Sequence, residues 1–208
     1  MGANNTKGTM IYTDLRTERM LAVLDQVSAQ TNSTQQTIEK DWWVTQVLRV
    51  LFSLPYAEHL SFKGGTSLML LLDHPRRLST DIDIIVEPGI DIDEYIRKSG
   101  EIFPFIDVEE HIRVGKNNIE KRHFRFKYHS PRSDRDVTIL LDVLFEKIQY
   151  GTTVERPIKN DLLLTEGENL SVIVPDVNGI LGDKLTAFAP HTTGIPFGVT
   201  KELEIIKQ

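Results

Sequence analysis

Two aspartates two residues apart, Asp81 and Asp83, open an otherwise apolar segment of the sequence. In a β-strand such residues face the same side, with their Cα atoms about 7 Å apart. Carboxylate oxygens are the ligands that hard cations such as Mg²⁺ prefer, and a bound cation would relieve the repulsion between the two charges. The pair fits a metal site or two solvated carboxylates at a strand end. Taken alone it favours the solvated carboxylates, because Asp-x-Asp is common by chance.

The same pattern recurs at Asp91 and Asp93, so the surroundings of each pair must decide its role. This second pair follows a Pro-Gly turn and precedes a helical stretch over 94–100. An aspartate in that position is best explained as an N-cap or first-turn residue of a helix. We therefore interpret Asp91 and Asp93 as local capping residues.

The first pair has a glycine-rich turn, Gly64-Gly65-Thr66-Ser67, 14 residues before it. Two glycines let the backbone turn tightly and approach a ligand closely, and free N–H groups at a helix start favour a phosphate. The Thr66 and Ser67 hydroxyls are two further donors. The turn is not a Walker A loop, which ends in Gly-Lys-Ser/Thr. It predicts a phosphate cradle or, as the plainer alternative, an ordinary strand-to-helix turn with Thr66 as N-cap.

A third carboxylate, Asp142, interrupts the apolar run 137–145. A charge inside such a strand is unfavourable unless it is paired or coordinates a metal. Two explanations stand: a buried ion pair with an arginine, or a functional site, where unpaired carboxylates are concentrated. We favour the functional site, since two metal ions and an activated hydroxyl require a third carboxylate beside Asp81 and Asp83.

The elements that must position these residues are short and change type along the chain. Ser33 with Gln36 predicts a capping box before a helix with two adjacent tryptophans, Trp42 and Trp43, which we interpret as core residues. Asp176 predicts the cap of a later helix. The patterns predict helices over 17–30, 35–53, 68–72, 93–100, 177–188 and from 199, and strands over 60–62, 81–87, 105–114, 121–129 and 137–146. This order predicts an α+β fold with α/β character, in which a small mixed central sheet is flanked by helices.

The chain divides into four stretches. These are a loose leader over 1–13, two helices packed on the core over 14–55, the core itself over 56–190, and the start of a further helical region over 191–208. The last helix carries an apolar stripe from Leu203 to Ile206, with no terminating glycine or proline behind it. We expect that stripe to require a partner surface and the chain to be the core of something longer.

Length and composition exclude several classes of protein. The 208 residues suit one domain, and 26% charged with 40% hydrophobic residues is ordinary globular composition. The absence of cysteine excludes disulfide frameworks, thiolate zinc sites and a cysteine nucleophile, and it fits a cytoplasmic location. No apolar run approaches the roughly 18 residues of a membrane span. The net charge of −6 argues against indiscriminate nucleic-acid binding.

One segment reverses this acidic balance. Between Arg113 and Arg135 there are eight Lys and Arg residues against two acids. Aromatic and basic residues alternate over 123–128, so the strand 121–127 would carry a core face and a basic face. The basic face suits an RNA backbone, with RNA as an acceptor substrate, or it is the solvated face of an edge strand. Both interpretations stay open, and we interpret none of the scattered histidines as a zinc ligand.

Several of these segments together resemble the AbiEii/AbiGii toxin family of nucleotidyltransferases, within the DNA polymerase beta-like superfamily. The glycine turn in Phe62–Ser67 and the aspartates in Arg77–Asp83 follow each other as in that family. Ile38–Val44 is similar to the helix that precedes the family's core, and Gly182–Ala187 resembles its lysine-bearing helix. The resemblance spans residues 35–208 and depends on the order of the motifs, since each alone is weak.

The resemblance implies a role for each matching residue. The residues implied in nucleotide binding are Gly64, Gly65, Thr66, Ser67, Lys63, Arg77 and Lys184. The residues implied in catalysis, as ligands of two Mg²⁺ ions, are Asp81, Asp83 and Asp142. Asp142 would lie near the attacking hydroxyl. Lys63 and Arg77 are the less favoured candidates, because either could form a structural ion pair instead.

The function implied is transfer of a nucleoside monophosphate from a nucleoside triphosphate to an acceptor hydroxyl of RNA or tRNA. The protein would be the cytoplasmic toxin of a toxin–antitoxin or phage-defence system, with an antitoxin as its partner. One alternative is a catalytically silent member that binds RNA or a protein. A less favoured alternative is a Mg²⁺-dependent phosphatase of the haloacid dehalogenase type, which normally has Thr or Val where this chain has Ile85.

Overall fold

The structure is a computed structural model of the 208-residue chain. It describes residues 17–52, 57–72, 79–94, 96–97, 105–114, 119–159, 169–186 and 189. The predicted leader over 1–13, the candidate Arg77 and the helical region expected over 191–208 lie outside these ranges.

A five-stranded mixed sheet forms the centre of the fold. Its strands are β1 (Leu60–Lys63), β2 (Asp81–Val86), β3 (Phe105–Val114), β4 (Glu120–Ser130) and β5 (Arg135–Phe145), in the spatial order β1-β2-β5-β4-β3. Strands β2 and β5 run parallel, and the other neighbouring pairs run antiparallel. The predicted fold class, a small mixed sheet flanked by helices, is confirmed.

Two helices, α1 (Thr17–Thr31) and α2 (Gln35–Phe52), share one hydrophobic cluster with the sheet. The cluster includes Phe124 and Tyr128 of β4 together with Trp42 and Trp43, and the ring of Trp43 lies 5.1 Å from that of Tyr128. The two tryptophans are therefore core residues, as predicted. Because alternate residues of a strand face opposite sides, burial of the β4 aromatics places the intervening basic residues on the other face.

That other face of β5 and β4 is open to solvent. Along β5, Leu141 and Val143 are buried, whereas Leu140 and Asp142 are exposed. This alternation is typical of a sheet that is packed on one side only. One side of these strands is thus core, and the other, which carries Asp142, is surface.

Two further helices and a small second sheet lie near β1. Helix α3 (Gly64–Leu71) follows β1 directly, and helix α4 (Val177–Thr186) packs against α3. Strands β6 (Thr153–Pro157) and β7 (Ser171–Pro175) form a separate antiparallel pair that contacts β1 through β7. None of the described helices is both long and apolar enough to cross a membrane.

Helix α2 begins at Gln35, as predicted, but its capping residue differs from the sequence prediction. The Thr34 hydroxyl, and not that of Ser33, accepts a hydrogen bond from the Thr37 N–H at 3.2 Å. Since α2 begins at Gln35, the N-cap is Thr34 and the predicted box of Ser33 with Gln36 is wrong.

Two aspartate caps lie where the sequence predicts them. Asp176 Oδ1 accepts a hydrogen bond from the Gly179 N–H at 2.8 Å, at the start of α4. Asp91 Oδ1 accepts one from the Asp93 N–H, also at 2.8 Å. The second Asp-x-Asp pair therefore has the local role that its surroundings indicate.

Candidate active site

Four ionisable side chains form a row across the sheet. In the strand register Lys63 lies opposite Asp83, Asp83 beside Asp142, and Asp142 beside His123. Neighbours in such a register share a face, and adjacent strands are about 4.8 Å apart. Asp81 faces the same side two residues before Asp83. The structure therefore places all three candidate carboxylates on one face of two adjacent parallel strands.

Asp83 is the most enclosed of the three carboxylates, since it is half-buried whereas Asp81 and Asp142 are exposed. Burial raises the pKa of Asp83 to about 6, and the charges of Asp142 and Asp81 act in the same direction. The charges of Lys63 and Lys184 lower that pKa and only partly offset the rise. A half-buried carboxyl with a raised pKa and like charges beside it is typical of a functional site.

Gly64 lies directly against the Asp83 side chain. Its φ of +78° is a conformation that favours glycine. A Cβ atom at this position would lie 2.8 Å from Asp83 Cγ, too close for two carbon atoms. The glycine turn predicts a close approach of the backbone to a ligand. In the structure the backbone at Gly64 closely approaches the Asp83 carboxylate.

The glycine turn opens directly into helix α3. The helix begins at Gly64 with Lys63 as its N-cap, so the alternative that Thr66 is the N-cap is wrong. The Lys63 side chain makes no capping hydrogen bond, and the first N–H groups of a helix have no partner within it. The start of α3 can therefore offer its amides to a phosphate beside Asp83.

The two hydroxyls of the turn point inward. Thr66 and Ser67 are both buried. The Thr66 hydroxyl donates to the Asp81 carbonyl, and the Ser67 hydroxyl donates to the Gly64 carbonyl at 2.8 Å. A hydroxyl has one hydrogen to donate, so in this arrangement both fix α3 in place. A phosphate at this turn would meet the backbone N–H groups of Gly64 and Gly65.

Asp142 lies on the open face of the sheet, where half of its side chain is exposed. Its Oδ1 accepts a hydrogen bond from Nδ1 of His123 at 2.6 Å. The alternative of a buried ion pair with an arginine is wrong, because the alternation along β5 turns this side chain outward. The sequence indicates Asp142 as a site residue because burying a charge is unfavourable. In the structure that cost applies to Asp83, which is half-buried, and not to Asp142.

A second network connects α4 to the row of ionisable residues. Lys63 Nζ lies 3.6 Å from Asp183 Oδ2, and the Tyr150 hydroxyl donates to the same oxygen at 2.7 Å. Burial, that hydrogen bond and the Asp183 charge raise the pKa of Tyr150 well above its usual range, so the hydroxyl keeps its proton. Of the two explanations offered for Lys63, the structural ion pair is present.

Lys184 is the α4 residue that faces the carboxylates. It is half-buried, and its charge acts on Asp83. Lys184 therefore lies within electrostatic reach of any nucleotide phosphate held beside Asp83. Arg77, the remaining candidate for nucleotide binding, lies outside the described residues.

The basic residues of β4 are partly neutralised by acidic neighbours. Arg122 and Lys127 each form ion pairs with two acidic side chains. The partners are Glu110 and Asp93 for Arg122, and Asp107 and Glu109 for Lys127. Arg125 is exposed on the open face and forms no ion pair with any described residue. Only part of the predicted basic face is therefore available to a ligand.

The residues present fit a hard cation that brings some of its own ligands. Within the described ranges, no group of three or more His, Asp and Glu side chains stands ready to hold a metal ion. Mg²⁺ is usually bound by one or two carboxylates, with water and substrate phosphates completing its shell. The adjacent carboxylates of Asp83 and Asp142, whose repulsion a cation would relieve, match that requirement.

This site belongs to a nucleotidyltransferase fold. Residues 46–195 match the sequence profile of the nucleotidyl transferase AbiEii toxin of type IV toxin–antitoxin systems. The match covers well over half of the chain, and the chain belongs to this family. Membership confirms the resemblance found in the sequence.

Two solved structures resemble the fold. One is JHP933 from Helicobacter pylori, with a TM-score of 0.48 and 16% sequence identity over 74% of this chain. The other is an H. pylori protein assigned to the nucleotidyltransferases, with a TM-score of 0.49 and 16% identity over 74% of this chain. The matched regions cover 58% and 60% of those two chains. Among curated proteins no match was found.

Three residues at the site escape the sequence analysis. His123, Tyr150 and Asp183 reach the carboxylates or their lysine neighbour only through strand register or helix packing. His123 and Asp142 are 19 residues apart in sequence, so only the pairing of β4 with β5 reveals their contact. For His123 a usable signal exists: it alternates with buried aromatics, as Asp142 alternates with buried aliphatics.

Proposed function

We propose that the protein transfers a nucleoside monophosphate from a nucleoside triphosphate to a hydroxyl group of RNA, tRNA included. The observation that carries this proposal is the pairing of Asp83 with Asp142 beside the start of α3. One side of this site offers carboxylates to cations, and the other offers backbone N–H groups to phosphates. A nucleoside triphosphate with Mg²⁺ presents both kinds of charge.

Residues around the glycine turn bind the triphosphate. The N–H groups of Gly64 and Gly65 donate to phosphate oxygens at the helix start. Lys184 contributes positive charge from α4, and Lys63, held by Asp183, contributes it from the end of β1. Thr66 acts indirectly, because its hydroxyl fixes the turn to the Asp81 backbone.

The carboxylates divide the remaining work. Asp81, Asp83 and Asp142 would hold two Mg²⁺ ions, which when bound neutralise the triphosphate and stabilise the entering and leaving oxygens of an in-line displacement. Asp142, on the open face, accepts a hydrogen bond from the acceptor hydroxyl and takes up its proton. The bond from the acceptor oxygen to the α-phosphorus forms as the bond to pyrophosphate breaks.

The acceptor reaches this site across the open face of the sheet. Arg125 lies on β4 two residues from His123 and on the same face, and it is free to contact a phosphate backbone. Nucleoside triphosphates and RNA meet in the cytoplasm, and we place the protein there as the toxin of a toxin–antitoxin or phage-defence system. An antitoxin would restrain it.

The test is a transfer assay with the protein and each α-³²P-labelled nucleoside triphosphate, total RNA and Mg²⁺. We expect label in RNA with at least one nucleotide, dependence on Mg²⁺, and loss of transfer in Asp83→Asn. The matched control is Asp91→Asn, which keeps an oxygen acceptor in the capping bond of the other Asp-x-Asp pair. Transfer that persists in Asp83→Asn would contradict the proposed site.

Two other outcomes identify the alternatives. Mg²⁺-dependent nucleotide binding without transfer to RNA or protein would indicate a catalytically silent binding module. Release of inorganic phosphate from a phosphomonoester, without pyrophosphate from a triphosphate, would indicate a phosphatase. The register favours transfer over a silent module, because a silent module has no need of paired, mutually repelling carboxylates.

A further inference from the structure

His123 lies next to Asp142 and has no role in the transfer reaction proposed for this site. It lies on β4 in register with Asp142 of β5, and Asp142 is in turn in register with Asp83 of β2. The three side chains thus stand in sequence on one face of three adjacent strands. His123 is 27% exposed, so its ring is enclosed far more than the Asp142 carboxylate, at 50%.

The hydrogen bond between these side chains has a defined direction. Asp142 Oδ1 lies 2.6 Å from His123 Nδ1, and an ionised carboxylate can only accept. The imidazole therefore donates from Nδ1. Among the described residues, His123 provides the hydrogen bond found for the Asp142 carboxylate, and it leaves Oδ2 available.

A carboxylate in this position needs orientation. Half of the Asp142 side chain is in solvent, where an aspartate samples several staggered rotamers. The negative charge of Asp83 in the next strand repels Asp142 and favours the rotamers that point away. A donor on the other side of Asp142 offsets that repulsion and selects one rotamer.

We propose that His123 is a positioning residue that holds the Asp142 carboxylate in the orientation needed to share a divalent cation with Asp83. The proposal rests on the function proposed above, because it assumes that these carboxylates bind a cation. Hydrogen-bond partners of metal-binding carboxylates typically change metal affinity or activity by about 10- to 100-fold when removed. His123 acts through Asp142 and needs no contact with the nucleotide.

The experiment is a titration of the protein with Mn²⁺ alone, followed by electron paramagnetic resonance of the free ion. It compares the wild type with His123→Leu, His123→Asn, Asp83→Asn and His111→Leu. Asparagine can place a side-chain N–H near the position of Nδ1, whereas leucine removes the donor. His111 is the matched control, because it is the register neighbour of His123 on the far side from Asp142. Circular dichroism melting shows whether each variant is folded.

We expect His123→Leu to weaken Mn²⁺ binding by about 10-fold or more, His123→Asn to recover most of it, and His111→Leu to match the wild type. Wild-type affinity in a folded His123→Leu protein would overturn the positioning role while leaving the cation site in place. Equal weakening in His123→Asn and His123→Leu would also overturn it, since the ring itself would then be required. Failure of the proposed function is distinct: the wild type would bind no Mn²⁺ better than Asp83→Asn.

Discussion

Asp83 couples the chemistry of the site to the stability of the fold. Its pKa is about 6 in the folded chain, against an ordinary value of 3.8. Between these values the folded protein binds more protons than the unfolded chain, so the free energy of unfolding falls as pH rises through this window. The full penalty is present above about pH 7 and corresponds to at most about 3 kcal/mol.

Asp83→Asn should remove this penalty. We expect the variant to be more stable than the wild type at pH 7.5 by about 1–3 kcal/mol, and to lose the difference as pH falls toward 4. Urea unfolding at several pH values, without divalent cations, measures this. Asp91→Asn should follow the wild type at every pH. A wild-type advantage at pH 7.5 would mean that Asp83 is stabilised, not penalised, by its surroundings.

Gly64 makes a second prediction at the scale of one residue. Alanine at this position would adopt a positive φ and bring its Cβ against the Asp83 carboxylate. The backbone term alone is about 1–2 kcal/mol, and the steric term adds to it. Gly64→Ala should therefore destabilise the protein by more than about 2 kcal/mol in urea unfolding and abolish nucleotide binding.

Gly89 is the control that separates the backbone cost of Gly64→Ala from its steric cost. It also has a positive φ, of +91°, but a Cβ there would meet nothing within 4 Å. Gly89→Ala should show the backbone term only, about 1 kcal/mol, with nucleotide binding intact. If the two alanine variants lost the same stability, the contact of Gly64 with Asp83 would have no energetic consequence.

At the scale of elements, α4 is tied to β1 through Asp183. The Tyr150 hydroxyl donates to Asp183, which also holds Lys63 at the end of β1. A hydrogen bond to a charged group contributes about 1.5–3 kcal/mol. Tyr150→Phe should lower the free energy of unfolding by about that amount and weaken nucleotide binding, because Lys63 loses part of its support.

Tyr128→Phe is the matched control for Tyr150→Phe. The Tyr128 hydroxyl is buried and has no hydrogen-bond partner among the described residues. Removing a buried polar group without a partner is neutral or stabilising. Equal losses of stability in the two phenylalanine variants would show that the link between α4 and β1 contributes nothing specific.

The open face of β4 gives a prediction about the acceptor. Arg125 is exposed and in no ion pair with the described residues, so Arg125→Ala should weaken RNA binding and reduce the slope of log affinity against log salt by about 1. Nucleotide binding should not change. Arg122→Ala is the contrast, because Arg122 is occupied by Glu110 and Asp93. Arg122→Ala should lower the free energy of unfolding and leave the salt slope unchanged. An unchanged salt slope in Arg125→Ala would indicate that the basic face of β4 is a solvated surface and does not bind RNA.

The elements themselves are largely predictable from the sequence, whereas their pairing is not. Alternation identifies β4 and β5, and proline, glycine and aspartate identify several ends, because these are local effects. The start of α3 is less accessible: the apolar run predicts a helix from Leu68, but the helix begins at Gly64. Glycines carry no periodicity signal, and the close approach of Gly64 to Asp83 joins residues that are far apart in sequence.

The site shows the same division. Asp81 and Asp83 share a face by local geometry alone, so the sequence is sufficient for that statement. The identity of the buried carboxylate is not local, since it depends on which part of their shared face the start of α3 covers, and Gly64 lies directly against Asp83. The sequence therefore places Asp142 correctly beside the other carboxylates, but it predicts a buried side chain where the structure has one that is half exposed. The contact of His123 with Asp142 requires the register of β4 and β5, which no local pattern contains.

For the whole molecule, the parts of the site come from separate elements of one cooperative fold. Asp83 lies on β2, Asp142 on β5, the phosphate-binding turn at the start of α3 and Lys184 on α4. A nucleoside triphosphate bound with Mg²⁺ would contact all of them, so its binding energy adds to the stability of the whole fold and not to one segment. Saturation at 100 times the dissociation constant adds about 2.7 kcal/mol.

This linkage predicts a large thermal shift that requires both ligands together. For about 200 residues, 2.7 kcal/mol raises the melting temperature by about 5–10 °C. Either ligand alone should give less, because phosphates complete the shell of the metal and the metal offsets the charge of the phosphates. A double variant, Asp83→Asn with Asp142→Asn, should lose the shift, while Asp91→Asn should keep it. A shift of the same size without Mg²⁺ would mean that the nucleotide binds without a cation on these carboxylates, which would contradict the proposed site.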